Sequence, residues 1–236
     1  MRFGHMTHIM LRRTALVGLA ALVLTAPAFA QDQLRSRTPV AAIVPTDATR
    51  VEMQGDDRTA ALAQANRVLN SVQRLQGHFV QTSPDGSHAS GTFYMQRPGK
   101  LRFEYDPPAT LLIVSDGSVV ALRDRALRTT DRTPLRATPL NLILRNEVNL
   151  ARDARIVRVG RQGDWLMITA RDRSGQTDGS IQLNFFGANA ELRSWDVVDA
   201  TGARTRVTLS DTTQPASFAQ SLFRLEDMLN TRSGRH

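Results

Sequence analysis

Cysteine is absent from this chain of 236 residues, and histidine is rare, with five in total. Without thiols there can be no disulfide bond, no thiolate chemistry and no lipid-modified cysteine. Only His78, His88 and His236 follow residue 30, and no two of them have the spacing of metal ligands. Glycine-rich phosphate-binding motifs are also missing. We therefore expect no cofactor, no metal site and no catalytic residues.

The remaining polar residues leave a hydrolytic site open as an alternative. Asp85, Ser87 and His88 lie in one predicted turn, where Asp and Ser are also expected for backbone hydrogen bonds. Glu104 and Asp106 border an apolar strand and could pair as catalytic carboxylates. Charges on a hairpin surface are the simpler explanation for them.

Long hydrophobic runs are missing except near the N-terminus, where residues 15–24 carry no charge. Arg12-Arg13 precedes this run, and Ala28-Phe29-Ala30 follows it as a small-x-small cleavage site, which is typical of a signal peptide. The run is too short for a comfortable membrane span. We expect residues 1–30 to be a signal peptide, cleaved after Ala30, and the product to be periplasmic.

Basic residues outnumber acidic ones, with 30 Lys and Arg against 22 Asp and Glu. Residues 1–30 contain three Arg and no acidic residue, so the processed chain has a net charge of +5. The bases are scattered and not interleaved with aromatics, which does not indicate nucleic-acid binding. A plain solvated surface explains the excess, and proximity to an anionic membrane face is compatible with it.

The processed chain divides into an arm and one domain. Residues 31–55 lack periodicity and contain Pro39, Pro45 and several Thr, which predicts a flexible arm. Residues 56–230 form the predicted domain, which begins with a helix that ends near Gln76, before Gly77. One apolar stripe runs along this helix: Leu62, Ala65, Val68, Leu69, Val72 and Leu75.

Strand patterns follow from His78 onward, separated by turns rich in Gly, Pro, Asn and Asp. Five strands between Ala154 and Leu209, at roughly ten-residue spacing, predict an antiparallel meander. The total is about ten or eleven strands, and a sheet of that size must curl or close. We predict a mainly β fold with some α (α+β), built on one curled antiparallel sheet.

A hairpin is predicted over residues 92–105, with alternating apolar and polar side chains around Pro98-Gly99. A two-residue loop would pair Arg97 with Lys100, whereas a loop that includes Lys100 would pair Arg97 with Leu101. The second register gathers five side chains on one face: Phe93, Met95, Leu101, Phe103 and Tyr105. It also places Arg97 there, where the cation needs a partner unless it reaches water from the hairpin tip.

A short apolar segment interrupts the strands at residues 138–144. Thr138 can cap a helix there, and Pro139 suits the first helical position. Leu140, Leu142, Ile143 and Leu144 make this helix apolar nearly all round, so it must be covered on most sides. It is compatible with a core helix or with a lid over a cavity, since curled sheets can enclose one apolar ligand.

Two motifs carry a family resemblance: RPGKLRFEYDPP from Arg97 to Pro108, and LLIVSDG from Leu111 to Gly117. Together with Phe79-Val80-Gln81-Thr82 and Thr138-Pro139-Leu140, they resemble LolA, the periplasmic carrier family of outer-membrane lipoproteins. The resemblance spans roughly residues 57–225. It implies a half-open barrel whose concave face is covered by the N-terminal helix and the short lid helix.

The resemblance also implies a site. Residues expected to form the lipid cavity are Phe93, Met95, Leu101, Phe103, Tyr105, Leu112, Leu140, Ile143 and Leu144. Arg97 corresponds to the family arginine that closes the lid through hydrogen bonds. Family members often carry Trp at the position of Phe103, so the cavity wall differs here.

The function implied is that of a monomeric, non-enzymatic chaperone carrying lipoproteins from the inner to the outer membrane. Its partners would be the acyl chains of lipoproteins, an inner-membrane ATP-driven lipoprotein-releasing transporter and, where one exists, an outer-membrane receptor, with no nucleic acid. A carrier or sensor of the same fold for free lipid or glycolipid is the alternative. A hydrolase at Asp85 and His88 is the third hypothesis.

Overall fold

Twelve strands, three α-helices and two 3₁₀ helices (Leu135–Ala137 and Gln220–Phe223) make up the computed structural model, which describes residues 50–173 and 179–225. The predicted signal peptide and most of the arm lie outside these residues. The strands are β1 (Val51–Glu52), β2 (Arg74–Thr82), β3 (His88–Gln96), β4 (Lys100–Tyr105), β5 (Leu111–Asp116), β6 (Val119–Asp124), β7 (Thr129–Pro134), β8 (Ala154–Gln162), β9 (Trp165–Asp172), β10 (Ser180–Phe186), β11 (Glu191–Val198) and β12 (Arg204–Thr213). The helices are α1 (Gly55–Ser71), α2 (Asn141–Leu144) and α3 (Leu150–Asp153).

All the strands belong to one antiparallel sheet in the order β1-β8-β9-β10-β11-β12-β2-β3-β4-β5-β6-β7. β12 pairs with β2 and joins the two meanders, while β1 and β7 remain as edges, so the sheet is not closed. The predicted mainly β fold with an antiparallel sheet is confirmed.

The sheet is strongly curled, as shown by side chains of distant strands that meet on one face. β4 and β11 are four strands apart, which would separate them by about 19 Å in a flat sheet. The rings of Phe103 on β4 and Trp195 on β11 nevertheless lie 6.3 Å apart. The face that carries these rings, called the inner face below, packs against Leu69 of α1, Leu144 of α2 and Leu150 of α3 in one core.

The first strand corrects the predicted extent of the arm. Val51 pairs with Arg161 of β8, and the N–H of Met53 donates to the carbonyl oxygen of Val159 at 2.8 Å. Residues 51–53 therefore pair with the sheet edge, although they lie inside the segment predicted as flexible. The expected ten or eleven strands become twelve.

The first helix ends earlier than its apolar stripe suggested. α1 stops at Ser71, and Leu75 and Gly77 belong to β2. A Cβ at Gly77 would lie 2.6 Å from the carbonyl oxygen of Ser210, so this glycine allows close approach of β12 and does not end a helix. Residues from Arg74 onward form a strand because β2 pairs with β12 on one side and β3 on the other, and this pairing outweighs the helical spacing of the apolar residues.

The hairpin of β3 and β4 adopts neither of the two predicted registers. Gln96 pairs with Lys100, and Phe93 pairs with Phe103, so the loop contains the three residues 97–99. The observed register differs by two residues from the one predicted with Lys100 in the loop, and a shift of two residues keeps every side chain on the same face. The residues Phe93, Met95, Leu101 and Phe103 are therefore buried together, as expected.

Candidate functional site

An apolar cavity of about 300 Å³ lies between the inner face of the sheet and helices α1 and α2. This volume is near the lower end of ligand pockets, which span about 300–1,000 Å³. Its lining combines three surfaces. The helical surface is Val68 and Leu69 of α1, Val72 just after it, and Leu140, Ile143 and Leu144 around α2. The strand surface is Leu75, Phe93, Met95, Leu101, Trp195 and Leu209, and the remaining residues are Arg97, Glu191, Leu192, Thr212 and Gln214.

The lid, defined as residues 138–144, covers one side of this cavity. Thr138 is buried, but its hydroxyl donates to the carbonyl oxygen of Leu135 at 2.8 Å and does not cap the predicted helix. The helix itself is shorter than predicted and begins at Asn141. Its apolar side chains Ile143 and Leu144 are buried against the cavity, which agrees with either predicted role, core or lid.

Two asparagines of α1 fix the chain that follows the lid. Asn70 makes a pair of hydrogen bonds with the backbone of Val148, donating to its oxygen at 2.9 Å and accepting from its nitrogen at 2.8 Å. Asn66, one helical turn earlier, accepts from the N–H of Leu150 at 3.0 Å. These polar residues at i and i+4 border the apolar stripe, and the sequence pattern gave no indication of their partners.

The loop of the β3–β4 hairpin contacts the other end of the lid. The N–H of Gly99 donates to the carbonyl oxygen of Leu144 at 2.8 Å, and the hydroxyl of Ser115 donates to the oxygen of Gly99 at 2.7 Å. The N–H of Arg97 donates to Gln73 at 2.9 Å. The loop is therefore held by β5, by the chain after α1 and by the lid.

The guanidinium of Arg97 lines the apolar cavity, and the residue is only 6% exposed. Within the described chain, its Nε and Nη1 have no hydrogen-bond partner. Burial lowers the pKa of Arg97 to about 10. The predicted hydrogen bonds from this guanidinium to the lid are wrong for this conformation, since the bond between hairpin and lid comes from the backbone of Gly99.

One side of the cavity is polar and more open to solvent. Glu191 accepts from the hydroxyl of Thr212 at 3.4 Å and forms an ion pair with Arg193 at 2.9 Å. Its side chain is about half exposed. The cavity thus has a polar rim at Glu191 and an apolar interior.

Six of the nine residues predicted for the cavity line it: Phe93, Met95, Leu101, Leu140, Ile143 and Leu144. Phe103 instead lies in the adjoining core, stacked on Phe93 at 5.9 Å. Tyr105 packs edge-on against Phe79 at 4.9 Å, donates to Gln81 at 2.6 Å, and burial raises its pKa.

Leu112 lies on the opposite face of the sheet, so its placement in the cavity is wrong. It pairs with Glu104 and packs with Val114 and Ala121 in a separate outer cluster. Both Leu111 and Leu112 are buried, because β5 is covered on both faces. Alternation could not distinguish the faces of such a strand.

The Asp85 and His88 turn does not form a hydrolytic triad. The Nδ1 of His88 is 3.1 Å from the hydroxyl of Thr82, while Asp85 accepts from the N–H of Ser87 at 2.9 Å. Hydrogen bonds from Ser87 lower the pKa of Asp85. Among the described residues there is no cluster of His, Asp and Glu that could hold a metal, and no helix long and apolar enough to cross a membrane.

An unclosed antiparallel sheet with a helix-covered apolar cavity defines a protein that can enclose an apolar ligand. The sequence profile described as "Outer membrane lipoprotein carrier protein LolA" matches residues 70–226. The chain therefore belongs to the LolA family.

Individual relatives carry the same description. The chain is 29% identical to an outer-membrane lipoprotein carrier protein of Chromobacterium violaceum over 175 residues, which cover 70% of this chain and 83% of the relative. It is 33% identical to one from Methylibium petroleiphilum over 150 residues, covering 59% and 71%. A solved LolA superfamily structure from Nitrosomonas europaea is similar with a TM-score of 0.43 at 12% identity, covering 72% of this chain and 98% of that one.

Proposed function

We propose that this protein is a periplasmic chaperone that takes the acyl chains of lipoproteins into the cavity beneath the lid and carries them from the inner to the outer membrane. The observation that supports this most is the cavity itself, whose wall is apolar on both the helical and the strand side. Each methylene buried there contributes about 0.8 kcal/mol. Binding therefore needs no covalent chemistry.

The lid has to move for this function. A cavity of about 300 Å³ is at the lower end of ligand pockets, whereas a lipoprotein anchor carries several chains. The contact between hairpin and lid is the backbone bond from Gly99 to Leu144, and a single hydrogen bond contributes about 0.5–1.5 kcal/mol. Burial of a few methylenes is enough to offset it, so entry of a chain can open the cavity.

Release then requires a more apolar acceptor or an opened cavity. In this proposal the carrier is monomeric, receives its cargo from an inner-membrane ATP-driven transporter and gives it to the outer membrane or to a receptor there. The names of the relatives, which describe outer-membrane lipoprotein carriers, support this direction of transport.

Depletion of the protein in its own bacterium tests the proposal. We expect lipoproteins to accumulate at the inner membrane, and normal delivery to the outer membrane would contradict the carrier function. Mass spectrometry of lipids extracted from the purified protein identifies the cargo. Free lipid or glycolipid without lipoprotein would favour a carrier of the same fold with another ligand.

A pair of matched variants tests the site. Leu192 lines the cavity and is half-buried, whereas Leu127 is exposed in the β6–β7 turn. Leu192→Glu should weaken binding of a neutral lipid probe, because an incoming chain would have to desolvate the carboxylate. Leu127→Glu should leave probe binding unchanged. Equal affinities of the two variants would place the ligand elsewhere.

A further inference from the structure

The unpartnered guanidinium of Arg97 is the polar group in this cavity that packing does not explain. Its Nε and Nη1 are buried without a partner among the described residues, and the surrounding wall is apolar. Buried donors are nearly always hydrogen-bonded, and an unpaired charge is disfavoured more strongly than a neutral group. A missing acceptor is therefore expected to come from outside the described residues.

Nearby charged residues do not supply this acceptor. Glu191 lines the same cavity, but its carboxylate pairs with Arg193 at 2.9 Å and accepts from Thr212. The lid carbonyl of Leu144 accepts from Gly99. The guanidinium thus remains available to a ligand that enters the cavity.

The backbone at Arg97 is fixed, which limits where its guanidinium can lie in the cavity. Its own N–H donates to Gln73 at 2.9 Å, and the same loop is held by Ser115 and by the lid. A donor held at a fixed depth in an apolar cavity selects where a polar atom of the ligand can lie. Leu75 and Leu101 also line the cavity and offer apolar contacts to the tail of such a ligand.

We propose that Arg97 binds the carbonyl or carboxylate oxygen at the head of an acyl chain, so that the cavity recognises acyl groups and not hydrocarbon alone. This inference rests on the proposed function and adds a polar contact to it. The shared chemistry is a carbonyl or carboxylate oxygen on the first carbon of an apolar chain, which an ester-linked acyl group and a free fatty acid both have. Arg97 remains protonated at neutral pH, since its pKa is lowered only to about 10.

The test uses the processed, delipidated chain and displacement of a neutral fluorescent probe, N-phenyl-1-naphthylamine. Three competitors of equal chain length are compared: dodecanoic acid, methyl dodecanoate and dodecyl methyl ether, which lacks the carbonyl oxygen. A hydrogen bond to a charged group predicts that the ester binds roughly tenfold or more tightly than the ether. Arg97→Met should bring this ratio close to one while the probe still binds.

Two further variants make the result specific. Arg97→Lys keeps a cation with donors and should retain part of the preference for the ester. Arg125→Met removes an exposed arginine from the β6–β7 turn and should keep the whole preference. A preference for the acid over the ester supports the inference and identifies free fatty acid as the source, whereas equal binding of the two supports an ester-linked group.

The inference is overturned if the native protein binds ester and ether equally, or if Arg97→Met keeps the native ratio. Failure of the proposed function is detected separately, because it would appear as normal delivery of lipoproteins to the outer membrane after depletion, whatever the ratio of ester to ether binding. A folded, probe-binding protein without ester preference would refute the contact with Arg97 alone.

Discussion

The backbone N–H of Gly99 donates to the carbonyl oxygen of Leu144 at 2.8 Å, so the hairpin loop is joined to the lid without any side chain. Side-chain substitutions in the lid leave this bond available. The glycine itself is restricted, because its φ is +73° and a Cβ would lie 2.6 Å from the Cα of Gly117. The contact that closes the cavity therefore depends on two turn glycines that pack against each other.

Gly99→Ala should destabilise the protein and loosen the lid. A non-glycine residue at positive φ costs on the order of 1–3 kcal/mol, and the contact with Gly117 adds to this. The control is Gly86→Ala, at φ +81° with nothing within 4 Å of the added Cβ. Chemical denaturation should show a larger loss for Gly99→Ala, and equal losses would mean that the contact with Gly117 relaxes freely.

Arg97→Met should stabilise the delipidated protein. The change removes buried donors that lack partners, whose desolvation costs about 1–3 kcal/mol or more for a charged group, and it breaks no side-chain hydrogen bond. Thermal unfolding with Arg125→Met as the exposed control measures the effect. A lower melting temperature for Arg97→Met would indicate stabilising contacts of the guanidinium.

Arg97→Leu should accept lipoprotein but release it poorly. The sequence resemblance explained this by loss of a closing hydrogen bond, whereas the structure offers another reason. Leucine adds apolar surface to the cavity wall, at about 25 cal/mol for each Å² buried, and release slows if this gain exceeds the loss of the proposed contact between Arg97 and the acyl oxygen. Transfer from the variant to outer-membrane vesicles, compared with the native protein, measures release, and equal rates would contradict the prediction.

Asp153→Asn should destabilise α3, the helix that follows the lid in the chain, in a pH-dependent way. Although burial raises the pKa of Asp153, hydrogen bonds from Arg152 and Asn149 and the charge of Arg145 hold it below the ordinary value of 3.8. A lowered folded-state pKa contributes stability above the unfolded value, and this is lost as pH falls through the folded one. The difference in unfolding free energy between native and variant should shrink below about pH 4. A pH-independent difference would indicate a purely steric effect.

Two deletions separate the arm from the first strand. A chain starting at Arg50 should melt at nearly the same temperature as one starting at Gln31, as the lack of periodicity in the arm predicts. A chain starting at Asp56 should melt lower, since it loses the pairing of Val51 and the bond from Met53 to Val159. Equal melting temperatures of the three chains would show that β1 contributes no stability.

The sequence predicted the inner face of the hairpin well because its strands alternate buried apolar residues with less buried ones. Phe93, Met95 and Leu101 alternate with polar neighbours, and all three line the cavity. The loop register was wrong because Pro98 and Gly99 suit loops of several lengths. Alternation fixes which face a residue occupies, and it does not fix which partner lies opposite.

Other residues of the site could not be assigned from local patterns. Leu75 continued the helical stripe by coincidence of spacing, and its true position depends on β12, which is far away in sequence. Trp195 and Leu209 belong to strands whose approach to the hairpin follows from the curl of the whole sheet. The partners of Asn66 and Asn70 are backbone groups 84 and 78 residues away.

The free edges at β1 and β7 have a mechanical consequence. In a closed barrel, strand number and stagger determine the circumference, so the interior cannot widen without breaking ladder hydrogen bonds. Here no bond joins the last strand to the first, and a small change of twist spread over eleven strand pairings alters the enclosed width. The open sheet can thus widen or narrow its interior to suit a thicker or thinner ligand, and it can return to its original width when the ligand leaves.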